Sequence, residues 1–226
     1  SDAPRTTIDY DVEQDRPLSL IALRGVLYNI SRMIAIFLQI CYTLFGKISR
    51  RQAMERLIPR PLKELAATLP APLYLVGGSV RDFLAGFSAG ETDWDLCSPA
   101  SEELLEQAAQ KCGFTVRAVY RNTGTVKLSD PDGTGYEYTR FRSDQYVRGL
   151  HTPAEIVFTD DIALDARRRD FCANAVYYEI ESGTFCDPLG GIADIRAKTL
   201  RTVAPAAKVF GEDGLRLVRL ARLAAQ

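Results

Sequence analysis

Residues 73–99 constrain this chain more than any other stretch. They read Leu73-Tyr74-Leu75-Val76-Gly77-Gly78-Ser79-Val80-Arg81-Asp82, a short linker, and then Thr92-Asp93-Trp94-Asp95-Leu96. The apolar run Tyr74, Leu75, Val76 predicts a buried strand. The glycine pair predicts a tight turn, and Ser79 the cap of a helix that begins near Val80. Such a turn builds a phosphate cradle: the first N–H groups of the helix, the positive end of its dipole and the guanidinium of Arg81 all face one anion. Taken alone, the same pattern also describes a plain strand-to-helix turn that binds nothing.

The acidic pair narrows the choice. Asp93 and Asp95 flank a single residue in a segment with strand character, so both side chains leave the same face of a sheet. Two adjacent carboxylates repel unless a positive charge lies between them. A hard cation such as Mg²⁺ takes oxygen ligands and binds one or two carboxylates together with substrate phosphates. A phosphate cradle followed closely by Asp-x-Asp therefore reads as a nucleotide site in which metal and triphosphate meet. The competing reading of the pair is an exposed, acid-rich turn.

Whole-chain properties bound the partners. With 226 residues, the chain is long enough for one large domain or two small ones. Its formal net charge is −1, so there is no global basic bias, and any RNA contact must come from a local patch. The five cysteines (Cys41, Cys97, Cys112, Cys172, Cys186) are odd in number and form no Cys-x-x-Cys pair. This argues against a disulfide framework or a zinc site and for a reducing cytoplasm. The start, Ser1-Asp2-Ala3-Pro4, has no signal-peptide pattern. His151 is the only histidine, which argues against a Ser-His-Asp triad or a histidine metal site.

Taken in order, residues 1–17 are polar and predict a loose arm. Residues 18–48 turn apolar at helical spacing, richest over 33–46. An apolar run that short reads as a buried helix, since a membrane span needs about 20 residues; a membrane tether is the other reading. Residues 60–70 predict a short helix between prolines, and Ser101-Glu102-Glu103 starts another that should end near Gly113. Residues 115–120, 125–128 and 135–141 predict adjacent strands. Alternation on the last places Glu137 and Thr139 on one face. If that face also carries Asp93 and Asp95, Glu137 is a third catalytic carboxylate; otherwise it is an exposed strand residue. Residues 143–153, with Tyr146, Arg148 and His151, have the composition of a flap over a nucleotide or an RNA end.

Two basic stretches follow. Arg167-Arg168-Arg169-Asp170-Phe171-Cys172-Ala173-Asn174 is either a solvated helix end or a source of positive charge for a triphosphate. In the second case Asp170 and Asn174, one helical turn apart, would hydrogen-bond a ribose. Residues 210–222 predict a helix with acids in its first turn, on which Asp213, Arg216, Arg219 and Arg222 share one broad face. A neighbouring carboxylate and guanidinium can present the acceptor and donor that reading a base edge demands.

Four motifs in this order resemble the head domain of the class II tRNA nucleotidyltransferase and bacterial poly(A) polymerase family, a branch of the DNA polymerase beta superfamily. They are Gly77-Gly78-Ser79-Val80-Arg81-Asp82 with Asp93-Trp94-Asp95, then Arg168-Arg169-Asp170-Phe171-Cys172-Ala173-Asn174-Ala175, then Asp187-Pro188-Leu189-Gly190-Gly191-Ile192-Ala193-Asp194 followed by Arg201, and Glu212-Asp213-Gly214-Leu215-Arg216. The departure is Cys172, where the family pattern has Thr. The resemblance implies an α/β (α+β) fold, a mixed, mostly antiparallel sheet flanked by helices, with an N-terminal helical extension added. It implies a division into residues 1–70 (arm and extension), 71–204 (catalytic head) and 205–226 (start of a helical neck). The glycines of the third motif are read as structural.

Carried over residue by residue, the resemblance makes Asp93 and Asp95 the ligands of Mg²⁺ and catalytic. Gly77, Gly78, Ser79, Arg81, Arg169, Arg219 and Arg222 hold phosphate, Asp170 and Asn174 hold ribose, and Asp213 and Arg216 select the base. The implied activity is template-independent addition of CMP, AMP or both from CTP and ATP to an RNA 3′ end, above all the CCA end of tRNA; addition of A alone or C alone stays open. A poly(A) polymerase and a non-catalytic nucleotide- or RNA-binding module are the alternatives. The rest of the neck, and the body and tail that grip tRNA in this family, have no counterpart here. That predicts a fragment, or a short member in which the N-terminal helices or a partner do that work.

Overall fold

The computed structural model describes residues 50–87, 94–146 and 153–225. Asp93, His151, Cys41, the polar arm and the apolar 18–48 segment lie outside the described residues. Internal contacts divide the chain into Ser1–Ile48 and Ser49–Gln226, and the described residues all belong to the second unit.

Two helices open the described chain, α1 (Arg50–Leu57) and α2 (Arg60–Thr68). Pro61 sits in the first turn of α2, where a missing N–H costs nothing. Leu62, Leu65 and Ala66 form its buried stripe. Strand β1 (Tyr74–Leu75), helix α3 (Gly78–Ala85) and strand β2 (Trp94–Ser98) carry the first motif. Ser101 caps α4 (Glu102–Lys111), taking the Leu104 N–H, and Glu102 and Glu103 lie in its first turn as expected. Strands β3 (Thr115–Tyr120), β4 (Thr125–Ser129) and β5 (Gly135–Arg140) follow as adjacent strands, within a residue of the expected bounds.

The remaining elements are β6 (Arg142–Gln145), β7 (Glu155–Phe158), α5 (Ile162–Arg167), a 3-10 turn at Cys172–Asn174, β8 (Tyr177–Glu179), β9 (Thr184–Cys186), α6 (Gly191–Ala197), α7 (Ala206–Glu212) and α8 (Leu215–Ala224). Seven strands form one sheet in the order β3-β4-β5-β2-β1-β8-β9. Every pairing in it is antiparallel except β2 with β5. The sheet is thus mixed and mostly antiparallel, the fold class the sequence implied.

The two faces of the sheet bury different sets. Leu75, Leu96, Tyr136, Tyr138 and Tyr178 join a core with Met54, Leu62, Leu65, Leu105 and Ala109 from the helices. Burying each such leucine contributes about 1.5–3 kcal/mol. By strand alternation the other face carries Val76, Cys97, Phe141, Ala175 and Tyr177 in a smaller cluster, and Asp95 shares the face of Cys97. The buried Tyr138 hydroxyl donates to the Ala100 carbonyl at 2.6 Å, which ties β5 to the end of β2 and holds their register.

Three local expectations are corrected. Helix α3 begins at Gly78 and its cap position is Gly77, not Ser79, whose hydroxyl turns back to the Val76 carbonyl at 3.4 Å. Gly77 has φ +80°, open to glycine and strained for other residues, so the turn tightens two residues earlier than the expected serine cap. The expected flap begins as strand over 143–145, because β6 pairs with β7, which starts two residues after it, through Arg142↔Phe158 to Gln145↔Glu155, and residues 147–152 lie outside the described residues. The single helix expected over 210–222 is broken at Asp213 and Gly214 into α7 and α8. Asp213 is extended (φ −148°, ψ 108°), and its carboxylate accepts the Leu215 N–H at 2.9 Å, which starts the new helix. No helix among the described residues is long and apolar enough to cross a membrane.

Candidate nucleotide site

The site grows from the turn between β1 and α3. An added Cβ on Gly77 would lie 2.9 Å from Asp95 Oδ2, so the glycine makes room for the carboxylate of the neighbouring strand. The Val76 N–H bonds the Asp95 carbonyl at 3.1 Å and fixes that approach. The glycine turn and the acidic motif are therefore one packed unit. Asp95 is half-buried and opens on a cleft of about 740 Å³.

The cleft gathers residues from three of the four motifs and the helix that follows: Gly77, Gly78, Ser79, Arg81, Asp95, Arg169, Asp170, Asn174, Asp213, Arg216, Arg219 and Arg222 all line it, while none of the third motif does. Its described lining holds seven arginines and five aspartates, a positive excess suited to a polyanion. One hydrogen-bonded chain joins three motifs across it. Arg219 Nη1 donates to Asp170 Oδ2 at 3.0 Å, Asn174 Nδ2 to Asp170 Oδ1 at 3.0 Å, and Arg81 Nη1 to Asn174 Oδ1 at 2.7 Å. Arg81 is also paired with Asp82 at 2.7 Å. Asp170 and Asn174 are not on one helix. Phe171 is extended and Asn174 closes the 3-10 turn, yet their side chains meet.

Arg216 is only 5% exposed. It donates to the carbonyls of Val209 (3.2 Å) and Arg168 (3.0 Å), to Glu212 (3.1 Å) and to the Tyr146 hydroxyl (3.3 Å), and lies over the Tyr146 ring. In this state it cross-braces α7, α8 and the β6 end, while Arg219 and Arg222 lie exposed on the cleft wall.

Glu137 stands directly beside Asp95 in the parallel β2–β5 register. The two share a sheet face, as the alternation suggested. Glu137 is half-exposed, pairs with Lys127 at 3.3 Å, and is not among the residues that line the cleft.

Sequence reasoning missed Arg142 and the apolar rim of Met54, Leu57, Phe83 and Phe87; it placed Asp144 and Tyr146 only in a flap segment and Arg168 only in a basic cluster. Arg168 had a signal in its neighbour Arg169. Asp144 had none, because its partners Arg142 (2.9 Å) and Arg168 (4.0 Å) meet it only through the fold. Burial and the nearby Arg168 push the Arg142 guanidinium down, against the pull of Asp144.

Beneath the arginines lies Asp165, fully buried, bonded to Arg168, Arg169 and the Tyr177 hydroxyl. Burial alone would raise its pKa, but Arg169, Arg168 and the hydroxyl outweigh it and lower the carboxyl from 3.8 to about 2. Because the folded value is the lower one, this contribution to stability is complete above the unfolded value and is lost as pH falls from about 5 towards 2. It amounts to about 2 kcal/mol. Acid unfolding followed by circular dichroism is expected to show this loss, and Asp165→Asn to be less stable at pH 7 but flatter across that window. An unchanged acid profile in the variant would contradict the pairing.

Sequence comparison matches residues 73–201 to the family described as the Poly A polymerase head domain. The chain belongs to this family. Similar proteins include the CCA-adding enzyme of Levilactobacillus brevis, 34% identical over 167 residues that cover 74% of this chain and 40% of that protein. Another is the CCA-adding enzyme of Bacillus pumilus, 37% identical over 153 residues that cover 68% and 36%. The crystal structure of the Bacillus stearothermophilus CCA-adding enzyme in complex with CTP aligns with a TM-score of 0.61 at 32% identity, over 75% of this chain and 40% of that one. A tRNA nucleotidyltransferase complexed with a primer tRNA and an incoming ATP analog aligns at 0.54 and 28% identity, over 72% and 44%. The chain spans about two fifths of the length of these relatives. The family match ends before α7, so Asp213 and the arginines of α8 lie beyond the matched head.

Proposed function

We propose that this chain is the nucleotide-binding, catalytic part of a template-independent RNA nucleotidyltransferase that adds CMP and AMP from CTP and ATP to the CCA end of tRNA. The observation that carries this reading is the packing of Asp95 against the Gly77 turn at the floor of an arginine-lined cleft. Membership of the family and the likeness to a CCA-adding enzyme in complex with CTP support it. We assign residues 71–204 to the head, 205–226 to the start of the neck, and 1–70 to an extension whose two described helices lend Met54, Leu62 and Leu65 to the head's core.

Asp93 and Asp95 are the residues that would hold divalent metal, Mg²⁺ in this reading. The site fits one: Gly77 keeps open the space before Asp95 Oδ2 that a Cβ would fill, and the donors are hard carboxylate oxygens. When bound, the metal would activate the RNA 3′-hydroxyl and stabilise the leaving pyrophosphate. The chain's own groups do the rest. N–H groups at the start of α3, with Arg81, Arg169, Arg219 and Arg222, hold the triphosphate. Asp170 and Asn174 take the ribose while bracing Arg219 and Arg81. Asp213 and Arg216 read the base edge, which requires Arg216 to give up some of its present acceptors. The four described cysteines are free, in keeping with a reducing cytoplasm.

The test is incorporation of labelled CTP and ATP, each alone and together, into a tRNA lacking its 3′ CCA and into an unstructured RNA. Ordered, metal-dependent addition to the tRNA alone is the expected result. Long A runs on either RNA would replace this reading with poly(A) synthesis. Nucleotide binding without incorporation, even when the remaining length of a relative is supplied as a separate chain, would leave a binding module in its place.

A further inference from the structure

Asp165 is spent on two arginines. Its Oδ1 accepts from Arg168 Nε at 2.7 Å and from the Arg142 backbone N–H at 3.4 Å. Its Oδ2 accepts from Arg169 Nη2 at 2.9 Å and Nε at 3.2 Å, and from the Tyr177 hydroxyl at 2.7 Å. A carboxylate has about four acceptor sites, so Asp165 is saturated. It does not itself line the cleft, whereas Arg168 and Arg169 do.

Sequence spacing explains how one carboxylate reaches both. Arg168 and Arg169 stand three and four residues after Asp165, the two separations that share a helical face. Left alone, consecutive guanidiniums would diverge and repel. The shared anion cancels that repulsion and grips each one by its Nε edge. Apart from Arg168 Nη1, which lies 4.0 Å from Asp144, the remaining N–H groups of each fork are the ones left for the cleft. A buried charge is a poor way to gain stability, because desolvation offsets most of the attraction and an apolar replacement often does as well. Holding two cations side by side is something an apolar residue cannot do.

We propose that Asp165 is a positioning residue that clamps Arg168 and Arg169 together so that both guanidiniums address the triphosphate of the incoming nucleotide. This rests on reading the cleft as a nucleotide site, and within the arginine cluster it singles out Arg168 as a partner of Arg169 in holding phosphate. Its signature is selective: the clamp bears on the β- and γ-phosphates and not on base or ribose.

The test measures the affinities of the chain for CTP and CMP by isothermal titration calorimetry, in the wild type, Asp165→Asn and Tyr177→Phe, with thermal melts alongside. Asp165→Asn is expected to weaken CTP binding about tenfold or more, as befits the loss of charge-assisted bonds, while CMP affinity stays within about twofold. Tyr177→Phe keeps the ring and the charge but removes the hydroxyl, and is expected to lower the CTP-to-CMP ratio about threefold. An unchanged ratio in a folded Asp165→Asn overturns the proposal. If that variant does not fold, an unchanged ratio in Tyr177→Phe overturns it instead. A wild type that binds CTP no more tightly than CMP would sink the nucleotide-site reading, and the clamp with it.

Discussion

Asp95→Ala is expected to reduce nucleotide incorporation on the order of 10³-fold or more while leaving the chain folded. The carboxylate sits half-buried on the cleft floor, so its removal leaves no sealed cavity. In the proposed reading, what it takes away is an oxygen ligand for metal at the point where charge develops, worth several kcal/mol in the transition state. Single-turnover incorporation of labelled CTP measures the effect, with a melting curve as control. Residual activity within tenfold of wild type would mean that Asp95 does not hold metal.

Gly191→Ala is expected to cause the largest loss of stability. A Cβ there would lie 2.0 Å from the Cys172 carbonyl oxygen, 2.7 Å from its carbon and 2.9 Å from Val176 Cγ2, and backbone cannot yield as a side-chain tip can. The glycine opens α6, its N–H donates to Asp187 Oδ1 at 2.7 Å, and the Ile192 N–H donates to Oδ2 at 2.9 Å. Asp187 thus caps the helix and presses its first turn onto the Cys172–Asn174 turn that presents Asn174. Overpacking of this kind costs about 3 kcal/mol or more, which in a chain of this size lowers Tm by roughly 6–12 °C. Gly211, inside α7 with nothing within 4 Å of an added Cβ, is the control. Gly211→Ala is expected to be neutral or stabilising by up to about 1 kcal/mol. Equal melting temperatures for the two variants would refute the steric account.

The same contact bears on Cys172, which stands where the resembling motif has Thr. Its side chain is buried and its Sγ reaches the Thr202 carbonyl at 3.6 Å, while its N–H bonds the Arg201 carbonyl at 2.9 Å. The polar work of the motif falls to Asp170 and Asn174 on either side, so the exchange leaves the cleft wall intact.

Much of the site was legible in the sequence because its signals are local. A glycine pair after an apolar run, an Asp-x-Asp on a strand, Ser-Glu-Glu at a helix start and alternation along 115–141 are each settled within a few residues by sterics, capping and side-chain period. These determined the strand-turn-helix, the β3-β4-β5 meander and α4, and raised the expectation of a nucleotide site. The tertiary structure alone decided which donor meets which acceptor. Arg216 is cross-braced to Arg168 and Tyr146, 48 and 70 residues away. Asp144 meets Arg168 and Arg81 meets Asn174 only through the tertiary fold, and Glu137 meets Lys127 through the β4–β5 register, which the strand pattern alone does not set. The break at Asp213 lay between, since an Asp-Gly pair permits a helix to pass or to restart, and the capture of Arg216 by groups outside the helix decided for a restart. Dihedral preference and period act within a turn of chain, whereas the pairing of buried charges is set by what remains to neutralise them once the core has packed.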